Sequence, residues 1–217
     1  MTSIRIGLFA TFVAAVTPCL GQAPPDPAEA AIVAEMRALD TDLTFNARGK
    51  VEELFWGPEL EHQFTDRQLE AVANLSDLKV LGLTNSSVTD AGLKQLLRLK
   101  RLEELYLQCE FVPNQAAQIT DAALAHLKQM SRLTHLYLED ADITDRGLSA
   151  LSEMTQLKQL SLFGTEITDA GLPLLRKLTN LTYLDVAECQ WETKRNGISA
   201  AAAHALMRQM PKCRIDY

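Results

Sequence analysis

The chain has 217 residues, a formal charge of −7 and a pI near 5.1, with 28 acids set against 21 lysines and arginines. An acidic surface with no basic cluster argues against nucleic acid and anionic membranes as partners. The length suits one domain with an ample core, and nothing after the N-terminal segment is apolar enough to cross a bilayer.

That N-terminal segment reads as a secretory signal peptide. Arg5 stands in a weakly positive start, and the apolar run Ile6 to Val16 is too short to span a bilayer as a mature helix. Cleavage is expected after Gly21 or after Ala23, with Pro24 disfavouring the second. A lipoprotein anchor at Cys19 is disfavoured by Pro18, which stands where such sites want a small residue. The expected product is exported to the periplasm, cell surface or medium. It has about 195 residues, and the loss of Arg5 takes its charge to −8.

Next comes an amphipathic helix over Pro27 to Leu39, with Ile32, Met36 and Leu39 on one side. Leu43-Thr44-Phe45, the turn Asn46 to Gly49 and Val51 to Trp56 predict a hairpin whose second strand continues into a larger parallel sheet.

From there a phrase repeats. Thr-Asp-x-x-Leu begins at Thr65, Thr89, Thr120, Thr144 and Thr168, with spacings of 24, 31, 24 and 24 residues. Between these phrases lies Leu-x-x-Leu-x-Leu, as in Leu78-Leu81-Leu83, Leu102-Leu105-Leu107, Leu133-Leu136-Leu138, Leu157-Leu160-Leu162 and Leu181-Leu184-Val186. A period of about 20 to 29 residues with this apolar spacing marks a leucine-rich repeat. The expected fold is an α/β leucine-rich repeat solenoid, a right-handed strand-helix coil with a parallel concave sheet. Each unit is a short strand followed by a short helix, and neither buries its apolar side until neighbours stack on it. In one unit, Leu136 and Leu138 keep the period of a strand, and Leu148, Leu151 and Met154 then keep that of a helix.

Thr144 is placed as an N-cap, and Asp145 puts a negative charge at the positive end of the helix dipole. The same reading applies to Thr89-Asp90, Thr120-Asp121 and Thr168-Asp169, so the aspartates are expected to be structural rather than catalytic.

Two units carry seven extra residues, one between Leu107 and Thr120 and one between Val186 and Ser199. Phe111 and Trp191 lie in these insertions, at the same edge of the sheet, as candidate rim contacts. Of the cysteines after the leader, Cys189 shares the small buried phase of Ser86, Ala141 and Thr165. Cys109 lies three strands away, roughly 14 Å, which disfavours a bridge between them. Cys213 belongs near a closing strand. Ser199 to Met210 predicts a last helix with Ser199 in the cap phase, and Arg214 to Tyr217 a last strand. The expected organisation is a leader over 1–21, a linker and N-terminal cap over 22–64, repeats over 65–198 and a C-terminal helix-strand cap over 199–217.

Val88-Thr89-Asp90-Ala91-Gly92-Leu93 and Ile167-Thr168-Asp169-Ala170-Gly171-Leu172, each after a Leu-x-x-Leu-x-Leu unit, resemble the short exported leucine-rich repeat proteins of bacteria. The likeness runs from about residue 42 to the end, where Met210-Pro211-Lys212-Cys213-Arg214-Ile215 is similar to the usual close of such arrays. Eukaryotic F-box proteins carry a related phrase, but their repeats are longer with regular cysteines, which this chain lacks. The resemblance implies recognition on the concave sheet by outward strand residues. Those include Glu104 and Tyr106, His135, Tyr137 and Glu139, Phe163, and Tyr183 and Asp185. Tyr106 and Tyr137 are expected side by side on adjacent strands, and aromatics recur in binding surfaces.

Catalytic signals are weak. His135 beside Glu104 and Glu139 has no specific metal or acid-base spacing, and the chain holds no His-Glu-x-x-His, glycine-rich phosphate loop or Gly-x-Ser-x-Gly elbow. The expectation is a monomeric, non-enzymatic module without cofactor or metal. Its partner is expected to be a protein, with an envelope polysaccharide or self-association in a structural role as alternatives.

Overall fold

The computed structural model describes residues 26–57, 64–108, 119–187 and 197–217. The leader with Cys19, and also His62, Cys109, Phe111, Cys189 and Trp191, lie outside the described residues.

Helix α1 (Pro27–Ala38) starts at Asp26, whose carboxylate accepts the Ala28 N–H at 3.0 Å. Pro27 takes the first helical position, where a missing N–H is harmless. Ile32 and Met36 are buried, and Leu39 packs half-buried against the core. Strands β1 (Asp42–Phe45) and β2 (Val51–Trp56) pair antiparallel. Their turn is fixed by Asn46, whose side-chain oxygen accepts from the Arg48 and Lys50 amides at 2.9 and 3.1 Å, and by Gly49 at φ 72°. Buried Asp77 then ties this cap to the repeats. It accepts from Asn46 at 3.2 Å, Arg48 at 2.7 Å and Arg101 at 2.8 Å.

Strand β2 pairs parallel with β3 (Val80–Thr84), and the sheet continues in chain order through β4 (Glu104–Gln108), β5 (His135–Glu139), β6 (Gln159–Ser161), β7 (Tyr183–Asp185) and β8 (Arg214–Asp216). The register aligns one inward residue per strand: Leu54, Leu81, Leu105, Leu136, Leu160, Leu184 and Ile215. The leucines of this row are fully buried, and burying a leucine stabilises by about 1.5–3 kcal/mol relative to exposure. At the strand exits, Asn85, Asp140 and Gly164 occupy one repeat phase in the left-handed region, a conformation that Asn, Asp and Gly tolerate best.

Opposite the strands lie α2 (Asp66–Val72), α3 (Asp90–Leu93, continued by a 3₁₀ turn over Lys94–Arg98), α4 (Asp121–Leu127), α5 (Leu148–Leu151), α6 (Leu172–Leu175) and α7 (Ala200–Gln209). Thr89 and Thr120 cap α3 and α4, accepting from the Gly92 and Ala122 amides at 3.4 and 3.2 Å, and Ser199 caps α7 by accepting from Ala202 at 3.2 Å. The expected caps at Thr144 and Thr168 need correction. Helices α5 and α6 begin only at Leu148 and Leu172, so these threonines head a preceding turn and accept from Arg146 and Ala170 at 3.3 and 3.2 Å.

The aspartates reach further than the helix dipole. Oδ1 of Asp66, Asp90, Asp121 and Asp145 accepts the backbone N–H of the next unit's threonine at 2.8 Å, while Oδ2 accepts its hydroxyl at 2.6 or 2.7 Å. Asp169 does the same for Ser199 at 2.7 and 2.8 Å. The glycine of the phrase leaves room for this clamp. A Cβ at Gly92, Gly147 or Gly171 would stand 2.0 to 2.3 Å from the carboxylate of Asp66, Asp121 or Asp145. After each 31-residue unit the same phase holds Ala123 or Ala202, and Asp90 and Asp169 still make both bonds.

Candidate functional site

Side chains alternate across a strand, so the face opposite the buried leucines displays files of outward residues. The register places Glu53, Val80, Glu104, His135, Gln159, Tyr183 and Arg214 in one file, and Phe55, Gly82, Tyr106, Tyr137, Ser161, Asp185 and Asp216 in the next. Thr84, Gln108 and Glu139 begin a third. Phe163, expected on this face, follows the end of β6 and stands in the turn before Gly164.

Aromatic rings dominate the side of this face nearest the N-terminal cap. Tyr106 and Tyr137 stack at 4.6 Å between centroids and 18° between planes, as their shared file predicts. Phe55 joins them, tilted against Tyr106 at 6.1 Å. Gly82, between Phe55 and Tyr106 in register, is buried because the Phe55 ring lies over it: a Cβ there would meet that ring at 2.2 Å. The phenol of Tyr106 donates to Glu104 at 2.7 Å, and that of Tyr137 donates to Gln159 on β6. Desolvation and the neighbouring Glu104 push the Tyr106 hydroxyl well above its ordinary pKa, and burial raises Tyr137 in the same direction.

Towards the other end the same file turns acidic. Ser161 donates to Glu139 at 3.4 Å, and Tyr183 shares its hydroxyl between Asp185 and Asp216 at 3.2 Å each. Burial, then the charges of Asp185 and Asp140, hold the Glu139 carboxyl above its ordinary range. On β8, Arg214 donates twice to Asp216 at 3.1 Å and sets its guanidinium 5.8 Å from the Tyr183 ring centroid.

His135 has Nδ1 2.9 Å from the Thr134 hydroxyl and 3.7 Å from Glu104. Glu139, at the other end of β5, turns to Ser161 instead, so the three do not form one cluster. No group of His, Cys, Asp or Glu suited to hold a metal ion occurs among the described residues, and none of their helices is long and apolar enough to cross a membrane. Cys213 is buried just before β8, and desolvation raises its thiol to about 11. Phe55, Glu53 and Asp216 are outward residues that the sequence reading did not place on this face. The signal for the first two was present, since Leu54-x-Trp56 is a degenerate form of the inward Leu-x-Leu pair.

The comparison with known proteins agrees with this geometry. The Leucine Rich repeat family profile matches residues 130–152, which hold the end of one unit and all of β5. Internalin C2 of Listeria monocytogenes superposes with a TM-score of 0.51 at 21% identity, over 88% of this chain and 82% of that one. The fold is a leucine-rich repeat solenoid. Two weaker likenesses accompany it. A second Listeria monocytogenes internalin has TM-score 0.41 and 20% identity over 68% of this chain and 49% of its own, and a leucine-rich repeat protein of Leptospira interrogans has 0.44 and 21% over 68% and 33%. No curated protein matches the sequence. The curvature of a leucine-rich repeat solenoid creates an extended concave surface of the kind repeat proteins use for binding.

Proposed function

We propose that this chain is an exported, non-enzymatic binding module that recognises a protein partner through the concave face of its leucine-rich repeat solenoid. The carrying observation is the Tyr106–Tyr137 stack, extended by Phe55, on strands over which no described helix is laid. Tyrosines held by stacking and by hydrogen bonds lose little entropy on binding and offer large contact area, the character of interface hot spots. Glu104, His135, Glu139, Phe163, Tyr183 and Asp185 surround the stack as further contacts, with Phe111 and Trp191 as contacts at the rim.

Export rests on the N-terminal sequence alone. The protein reading is preferred to a polysaccharide because the tyrosines turn ring faces to each other, whereas sugar stacking wants a bare face. The module acts as a monomer.

The test is affinity capture from an envelope extract by the parent chain beside a Tyr106→Ala/Tyr137→Ala variant shown by circular dichroism to be folded. A protein held by the parent and lost by the variant supports the concave site. Equal capture by both moves the site off this face.

A further inference from the structure

Resting on the concave-face reading above, we infer that the partner segment received by the Tyr106–Tyr137 ridge is cationic, a stretch of protein presenting arginine or lysine side chains to the ridge and its flanking carboxylates.

Between β2 and β7 the charge on this face is one-sided, and Arg214 on β8 is its one outward cation among the described strand positions. The outward strand positions from β2 to β7 carry Glu53, Glu104, Glu139 and Asp185, and no lysine or arginine. Lys50, Lys79 and Lys158 directly precede β2, β3 and β6, and the first two are engaged by Glu29 and Glu52. Among the described residues the central carboxylates meet only weak counter-donors. Glu104 has the Tyr106 phenol and His135 at 3.7 Å, Glu139 has the Ser161 hydroxyl, and Asp185 has the Tyr183 phenol and the Ala187 amide. Carboxylates ranged along one face with no strand cation among them are poised to gain from one, and far more so once a partner excludes water.

The sheet also shows what fits. On β7 and β8 the chain builds a tyrosine, a carboxylate and an arginine together: the Arg214 guanidinium lies over Tyr183 and is held by Asp216. In the middle of the sheet the tyrosine and carboxylate recur, as Tyr106 bonded to Glu104, without the arginine. A partner would supply it, its planar guanidinium forking onto the carboxylate beside the stacked rings. The acidic chain as a whole would steer such a partner towards contact.

The probe is a fluorescent hexa-arginine peptide, titrated by anisotropy against the chain and two variants, with hexaglutamate as the opposite charge. Glu104→Gln/Glu139→Gln/Asp185→Asn removes the three central acids of this face, and Glu70→Gln/Glu153→Gln/Glu166→Gln removes as much charge from exposed positions elsewhere. The expected result is salt-sensitive binding of hexa-arginine, weakened about tenfold by the first variant and little by the second. Absence of binding, or equal loss in both, overturns the inference. In the envelope capture, a partner lost by Tyr106→Ala/Tyr137→Ala yet kept by the variant without the three central acids leaves the concave site standing and removes its cationic preference. A partner kept by both removes both readings.

Discussion

Asp121 holds Thr144 of the following unit by two hydrogen bonds at once, Oδ1 accepting its amide N–H at 2.8 Å and Oδ2 its hydroxyl at 2.6 Å. The same pair recurs along the solenoid, so the stacking of units is fixed at this edge by charge-assisted bonds as well as by leucine burial. Hydrogen bonds to a charged group contribute about 1.5–3 kcal/mol. Asp121→Ala, which strands a partly buried amide, is therefore expected to destabilise by about 2 kcal/mol in urea unfolding. Asp121→Asn keeps one acceptor and should lose less. No measurable loss in Asp121→Ala would show that the carboxylate is not the clamp.

Gly147→Ala tests the space the clamp needs. Gly147 lies at φ −64°, where alanine ordinarily stabilises by about 0.4–1 kcal/mol through the unfolded chain. Here the new methyl would meet Asp121 Oδ1 at 2.3 Å and a Leu124 methyl at 2.7 Å. Because that oxygen is already bound to Thr144, overpacking of about 1–3 kcal/mol should win, and the variant should be less stable. A gain in melting temperature would mean that the neighbours yield.

The stacked tyrosines should be energetically coupled. A double-mutant cycle on Tyr106→Ala and Tyr137→Ala is expected to give an interaction of about 0.5–1.5 kcal/mol. Additive losses would mean that each ring is held by its own strand.

Glu139 gives the pH dependence. Burial and two nearby acids raise its carboxyl above the ordinary 4.5, so the ionised form opposes folding. Below the unfolded value the group is protonated in both states and the penalty vanishes. It grows as pH rises and is complete above the folded value. Glu139→Gln should therefore be more stable than the parent at pH 7–8, with the gap closing near pH 4. A gap of constant size across that range would refute the assignment.

Cys213 should be protected in the folded chain. With its thiol at about 11 rather than 9.0, the reactive thiolate is about a hundredfold scarcer at neutral pH. Peptide mapping after alkylation should show slow modification of Cys213 that accelerates on unfolding. Rapid labelling of native protein would contradict its burial.

The sequence by itself determined the solenoid, the inward leucines and the neighbouring placement of Tyr106 and Tyr137, because a strand's alternation and a helix's period are local and a 24-residue repeat copies them in register. The single turns of α5 and α6 were harder to read, since a threonine cap and a threonine turn share one local pattern. Only the tertiary structure decided where the aspartates bind, because Asp121 and Thr144 lie 23 residues apart and meet through stacking. It also brought Phe55 over Gly82 and made one file of the concave face aromatic at the N-terminal side and acidic at the other. Those outcomes depend on which rings and carboxylates adjoin across strands, a distance that a periodic pattern permits but does not select.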